Sequence, residues 1–165
     1  MAKCTKCNAE IKEIKNKDNQ IESFDITSGA QFSVLIYREK VFKIPKMKIT
    51  NEELKKLVYH QNKLSVLDGI PKAEYANGVI VEDYVPGETI GHLKKYNLIT
   101  EEEKEEIDRL KKELTSKIND LGYSLRDRNV YNVLYDKENG NIYFVDFIDL
   151  YKVNEKNPRK KIWRE

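Results

Sequence analysis

Hydrophobic positions along this chain switch between a period of two and a helical period, with short polar breaks between. Residues 1–20 are polar and rich in Lys and Asn, and read as a mobile arm with room for one short element. From Ile21 a weak alternation begins, with Ile21, Ser23 and Asp25 on one side and Glu22, Phe24 and Ile26 on the other. Thr27-Ser28-Gly29-Ala30 reads as a turn. Residues 32–37 and 41–44 are β-rich runs separated by Arg38-Glu39-Lys40, which predicts strand, turn, strand, tight turn, strand. Thr50 followed by Glu53 is a capping box. Leu54, Leu57, Val58, Gln61 and Leu64 after it share one helical face, and Asp68-Gly69-Ile70-Pro71 ends that helix. Strands are expected around 73–75 and 78–83, and Pro86-Gly87 breaks the chain. A second capping box, Thr100 with Glu103, opens a long helix with an apolar stripe of Ile107, Leu110, Leu114, Ile118 and Leu121; Gly122 is its expected stop. Its acidic start sits at the positive end of the helix dipole and otherwise reads as a solvated face. Residues 130–135 and 142–145 read as a hairpin. Strands first and helices later indicate an α+β fold.

Composition narrows the class. Apolar residues make up 39% of the 165, and charged residues 35%, with Lys+Arg 30 against Asp+Glu 28. The net charge of +2 lacks the clustered excess of a nucleic-acid binder. Ten Tyr and five Phe argue against disorder. No apolar run approaches the roughly 18 residues a spanning helix needs, and no secretory signal is visible, so no membrane partner is expected. Cys4 and Cys7 form one Cys-x-x-Cys rather than a disulfide framework, and the default location is a reducing cytoplasm. The pair reads as half of a zinc knuckle without its other ligands or, without a βαβ context, as a redox pair.

The chemistry lies in Ser124-Leu125-Arg126-Asp127-Arg128-Asn129-Val130-Tyr131-Asn132, followed by Val145-Asp146-Phe147. Phosphoryl transfer from ATP needs such a set: one carboxylate to orient or deprotonate the acceptor hydroxyl, and an amide oxygen with a second carboxylate to hold Mg²⁺ against the phosphates.

These residues resemble the protein-kinase-like superfamily. Arg126-Asp127 and Asn132 match H-R-D-x-x-x-x-N with Leu125 in place of His, and Asp146-Phe147 matches D-F-G with Ile148 in place of Gly. Asn129 and Tyr131 are similar to the catalytic loop of RIO-type atypical kinases. Val41-Phe42-Lys43-Ile44 resembles the strand-borne V-A-I-K. The stretch from Val81 to Glu88, with Tyr84-Val85-Pro86-Gly87, resembles the interlobe hinge and the start of the next helix.

The resemblance implies a bilobal protein-kinase-like fold: an arm over 1–20, a β-rich N-lobe with one helix over 21–85, a truncated helical C-lobe over 86–153 and a basic tail over 154–165. It implies ATP and Mg²⁺ as cofactors. Lys43 would pair the α/β-phosphates, Asp127 would be the catalytic carboxylate, and Asn132 and Asp146 would hold the metal. Backbone groups of Glu82, Tyr84 and Val85 would bond adenine. Gly29 is either the second glycine of a degenerate phosphate loop or an ordinary turn glycine.

Two departures and one further feature, the basic tail, stand out. Gln61, not Glu, occupies the inward helical position expected to face Lys43, so the usual ion pair is expected to be missing. The stretch after Asp146 is too short for a peptide-docking platform, so a protein substrate or activating partner would complete the acceptor site. The tail Arg159-Lys160-Lys161-Ile162-Trp163-Arg164 reads as a solvated end with Trp163 against the C-lobe, or as a phosphate or RNA contact. The expected activity is transfer to a protein Ser/Thr hydroxyl, slow ATP hydrolysis, or autophosphorylation on Thr27, Ser28 or Ser33. A pseudokinase binding module and a small-molecule phosphotransferase of the aminoglycoside-kinase type are the rival readings.

Overall fold

β-branched and aromatic runs in the first half of the chain assemble one six-stranded antiparallel sheet. The computed structural model describes residues 11–15, 21–28, 31–126, 129–153 and 160–164. The sheet holds β1 (Ile11–Lys15), β2 (Ile21–Ser28), β3 (Phe32–Tyr37), β4 (Lys40–Pro45), β5 (Ala73–Ala76) and β6 (Val79–Asp83), in the order β1-β2-β3-β4-β6-β5. β1 is the one short element that the stretch 1–20 had room for. The β3–β4 turn puts Arg38 and Glu39 at φ of 46° and 59°, the geometry that matches the twist of a two-residue hairpin. Gly78, expected to begin a strand, instead lies with Asn77 in the β5–β6 turn.

Helix α1 (Asn51–Leu64) starts where the capping box predicts, with Thr50 Oγ1 and the Glu53 side chain exchanging bonds with each other's backbone. All five residues of its predicted stripe are buried, Gln61 included. The Asn62 side chain both donates to Ala73 O (2.8 Å) and accepts from Ala73 N (2.9 Å), stitching the last turn of α1 to β5.

The second half contains β7 (Glu88–Thr89), α2 (Ile90–Lys95), α3 (Glu101–Asp120), β8 (Tyr123–Leu125), β9 (Val133–Asp136), β10 (Asn141–Phe144), β11 (Leu150–Lys152) and a short 3₁₀ turn, η1 (Ile162–Arg164). β10, β9 and β7 form one small sheet, and β11 pairs with β8. Helix α3 buries Ile107, Leu114 and Ile118, while Leu121 at its C-cap is turned outward. The hairpin begins later than expected. Residues 130–132 form a turn because Asn129 Oδ1 accepts from Tyr131 N (3.0 Å) and Asn129 O accepts from Asn132 N (2.8 Å).

One hydrophobic core joins both halves, running from Leu54, Leu64 and Ile80 to Ile107, Phe144, Phe147 and Trp163. Trp163 packs against the C-terminal half as expected, but the residues around it are more buried than those of a solvated end. Ile162 and Trp163 are buried, η1 packs on α1 as well as on β11, and Trp163 Nε1 donates to Ile148 O at 2.9 Å. An indole next to an apolar helix face removes too much hydrophobic surface from water to stay outside. Among the described residues, no helix is long and apolar enough to cross a membrane.

Candidate active site

Lys43 sits mid-strand in β4, opposite Val34 of β3 and Ile80 of β6. Glu82 lies two residues along β6 from Ile80 and so points to the same face, diagonal to Lys43 and within reach of a long side chain. Lys43 Nζ is 2.8 Å from Glu82 Oε1, and the two side chains are only 11% and 3% exposed. Gln61 of α1 donates to the same Oε1 at 3.0 Å and to Pro71 O at 3.1 Å. The helix-borne ion pair is missing, as Gln61 implied, and Lys43 pairs instead with a carboxylate on the sheet. Glu82, expected to matter for its backbone alone, contributes the buried acid. Burial pushes its carboxyl up from the ordinary range. The Lys43 charge and the bonds from Lys43 and Gln61 pull it back, and the nearby charge of Asp146 adds to the upward push.

Lys43 Nζ also donates to the carbonyl of Val145, the residue before Asp146. The N–H of Val145 in turn donates to Asn132 O at 3.1 Å. One peptide segment thus draws Lys43, Asn132 and Asp146 together from three regions of the chain. Asp146 is held in its own turn, with Oδ1 accepting from Ile148 N at 3.0 Å. The segment then passes through Ile148 and Asp149 directly into β11, where Asp149 O accepts from Arg126 N at 3.2 Å. The Arg126 guanidinium stacks 4.0 Å from the Tyr151 ring, bracing the end of β8 against β11.

Around the hinge, Tyr84 N, expected to face adenine, donates to Glu39 O at 3.0 Å and ties the β3–β4 turn to it. Val85 is half-buried. Gly87 has φ +107°, and a Cβ there would lie 2.6 Å from Tyr135 O, so the chain after the hinge runs against the β9 backbone. Gly91, near the start of α2, lies under the Tyr131 ring, where a Cβ would be 2.5 Å from Cε1. Its N–H donates to Val130 O at 2.9 Å. Glycine at 91 thereby lets α2 dock on the loop carrying Asn132.

Asp127, Gly29, Cys4 and Cys7 lie outside the described residues. Among the described residues, no group of three or more His, Cys, Asp or Glu side chains converges as a metal site. Asp146 and Asn132 carry side-chain oxygens of the kind a hard cation takes, on segments joined by the Val145–Asn132 backbone bond. Sequence reasoning overlooked Val145, which acts through its backbone and leaves no side-chain signature. The Glu82 side chain did leave one. Val79-Ile80-Val81-Glu82 alternates, which puts a carboxylate on the inward face with Ile80.

No family model and no curated protein sequence matches the chain. Solved structures do. The co-crystal structure of WbdD with the kinase inhibitor LY294002 aligns at TM-score 0.54 and 16% identity, over 83% of this chain and 35% of that one. A high-resolution structure of WbdD aligns at TM-score 0.56 and 16% identity, over 81% and 34%. A structure described as the bifunctional kinase-methyltransferase WbdD aligns at TM-score 0.51 and 16% identity, over 74% and 30%. The chain spans about a third of the length of these structures. The likeness shows the fold: α+β and kinase-like, with a β-rich N-terminal lobe and a reduced helical remainder.

Proposed function

We propose that this protein binds Mg-ATP between its sheet and its C-terminal half and transfers the γ-phosphoryl group to a hydroxyl. The observation that carries the reading is the Val145 segment, which links Lys43 on one side and Asn132 on the other beside Asp146. A lysine ammonium has three protons. Glu82 and Val145 take two, and the third is available to a phosphate oxygen. Asn132 and Asp146 would hold Mg²⁺. When bound, the ion supplies charge neutralisation on the phosphates.

In the transfer, the acceptor oxygen bonds to the γ-phosphorus. The bond from that phosphorus to the β–γ bridging oxygen breaks, and ADP leaves with the electron pair. The hydroxyl proton passes to the Asp127 carboxylate. We assign the acceptor to a protein Ser or Thr presented by a partner, because Asp146 runs straight into β11 with no intervening platform. The spacing of Asn129, Tyr131 and Asn132 supports a RIO-type catalytic loop. A pseudokinase reading is favoured by one observation: Tyr84 N already has an acceptor inside the protein, which weakens an adenine contact at the hinge.

The test compares wild type with Asp146→Ala by calorimetric Mg-ATP binding and by γ-phosphate release. Turnover that falls about a hundredfold or more in the variant supports catalysis. Equal rates in both proteins overturn it, and binding with no turnover in wild type selects the pseudokinase.

A further inference from the structure

We propose that Glu82 is the positioning residue for Lys43, so that the active-site amine is set by the β-sheet and not by helix α1. The inference rests on the phosphotransfer reading for its purpose, but the pairing itself is independent of it. Lys43 and Glu82 stand on adjacent strands, β4 and β6, whose ladder pairs Lys43 with Ile80 and Val41 with Glu82. Their separation is therefore fixed by backbone hydrogen bonds. Helix α1 offers the neutral Gln61 at this level, and its amide reaches Glu82, through which alone it is linked to the ammonium here. A shift of α1 would break the hydrogen bond from the Gln61 amide and not the Lys43–Glu82 pair, whose two members lie on the sheet.

Stability alone does not account for the pair. A buried ion pair is poor at stabilising a fold, and apolar residues of similar volume would serve the sheet as well or better. This pair lies where the Lys43 amine also bonds the Val145 carbonyl, beside the Asp146 charge. Its place at the junction of the two halves is the one where a fixed amine would be useful.

The test uses the full chain and three variants: Glu82→Gln, Gln61→Leu, and the exchange Gln61→Glu/Glu82→Gln, which keeps one acid and one amide in the same contact. One readout is the rate at which an amine-reactive acylating probe modifies Lys43 without nucleotide, followed by mass spectrometry. The other is the KM and kcat for Mg-ATP. Glu82→Gln is expected to speed Lys43 acylation severalfold and to raise KM about tenfold or more, with kcat changing less. Gln61→Leu is expected to leave acylation within about twofold of wild type. The exchange, which moves the acid onto the helix, is expected to stay as perturbed as Glu82→Gln, whereas an exchange that restored wild-type rates would overturn the proposal. If Glu82→Gln destabilises the fold, the exchange and Gln61→Leu still decide. Acylation unchanged in Glu82→Gln, or perturbed as strongly by Gln61→Leu, overturns the proposal. Wild-type protein that fails to bind Mg-ATP overturns the phosphotransfer reading instead, while the acylation rates still report what holds the lysine.

Discussion

Gly87 and Gly91 separate two ways in which one missing methyl group can matter. At Gly87 an added Cβ would meet the backbone of Tyr135, and φ of +107° is hostile to any L side chain. Gly87→Ala is expected to cost about 2–4 kcal/mol in urea denaturation. At Gly91 the obstacle is the ring of Tyr131, which is 58% exposed and has somewhere to go. Gly91→Ala is expected to cost less than about 1 kcal/mol and to swing the ring, and with it the Asn132 loop, away from α2. Amide NMR shifts concentrated at 129–132 would show this; shifts spread over the whole chain would contradict it. At this scale the sequence placed Lys43 on a strand and Asp146 just after one, and the structure links Lys43 and Asn132 through the Val145 backbone. The face of Glu82 was readable from its strand position beside Ile80, but its partner Lys43 emerges only when β4 and β6 lie side by side.

Elements whose signals are local were read correctly from sequence. Both capping boxes form, since each needs only residues three positions apart, and both helices begin as their patterns require. The exposed face of α3 is laced by Arg109 with Glu106 and Glu113, and by Lys117 with Glu113, as a solvated charged face should be. β8 and β11 were not legible. Each is three residues long, and neither exists without the other, so no periodicity announces them. The join between α1 and β5 was equally hidden, because it depends on an Asn side chain bonding as a strand would. Asn62→Ala removes both bonds to Ala73 and leaves part-buried backbone groups without that partner. A loss of about 1–3 kcal/mol is expected, seen as a lower denaturation midpoint with an unchanged slope.

For the whole molecule, the deciding fact is that η1 closes the core against α1. Fold class was legible from strands preceding helices. The packing of Trp163 was expected, but the contact of η1 with α1 was not, because only the tertiary position of α1 supplies that part of the seat. Lys161 pairs with Asp149 at 2.6 Å, which brings one charge of the basic tail to the Asp146 segment. Trp163→Ala is expected to cost about 3–5 kcal/mol, a large share of a small domain's total stability, and to lower the thermal midpoint sharply. A midpoint within a few degrees of wild type would mean that the tail does not hold the halves together. Because the chain has a single tryptophan, bonded to Ile148 two residues beyond Asp146, its fluorescence is a built-in optical reporter on that segment. Excited at the red edge, where the ten tyrosines are nearly silent, the indole can follow events at the Asp146 turn without a dye, a label or an engineered probe.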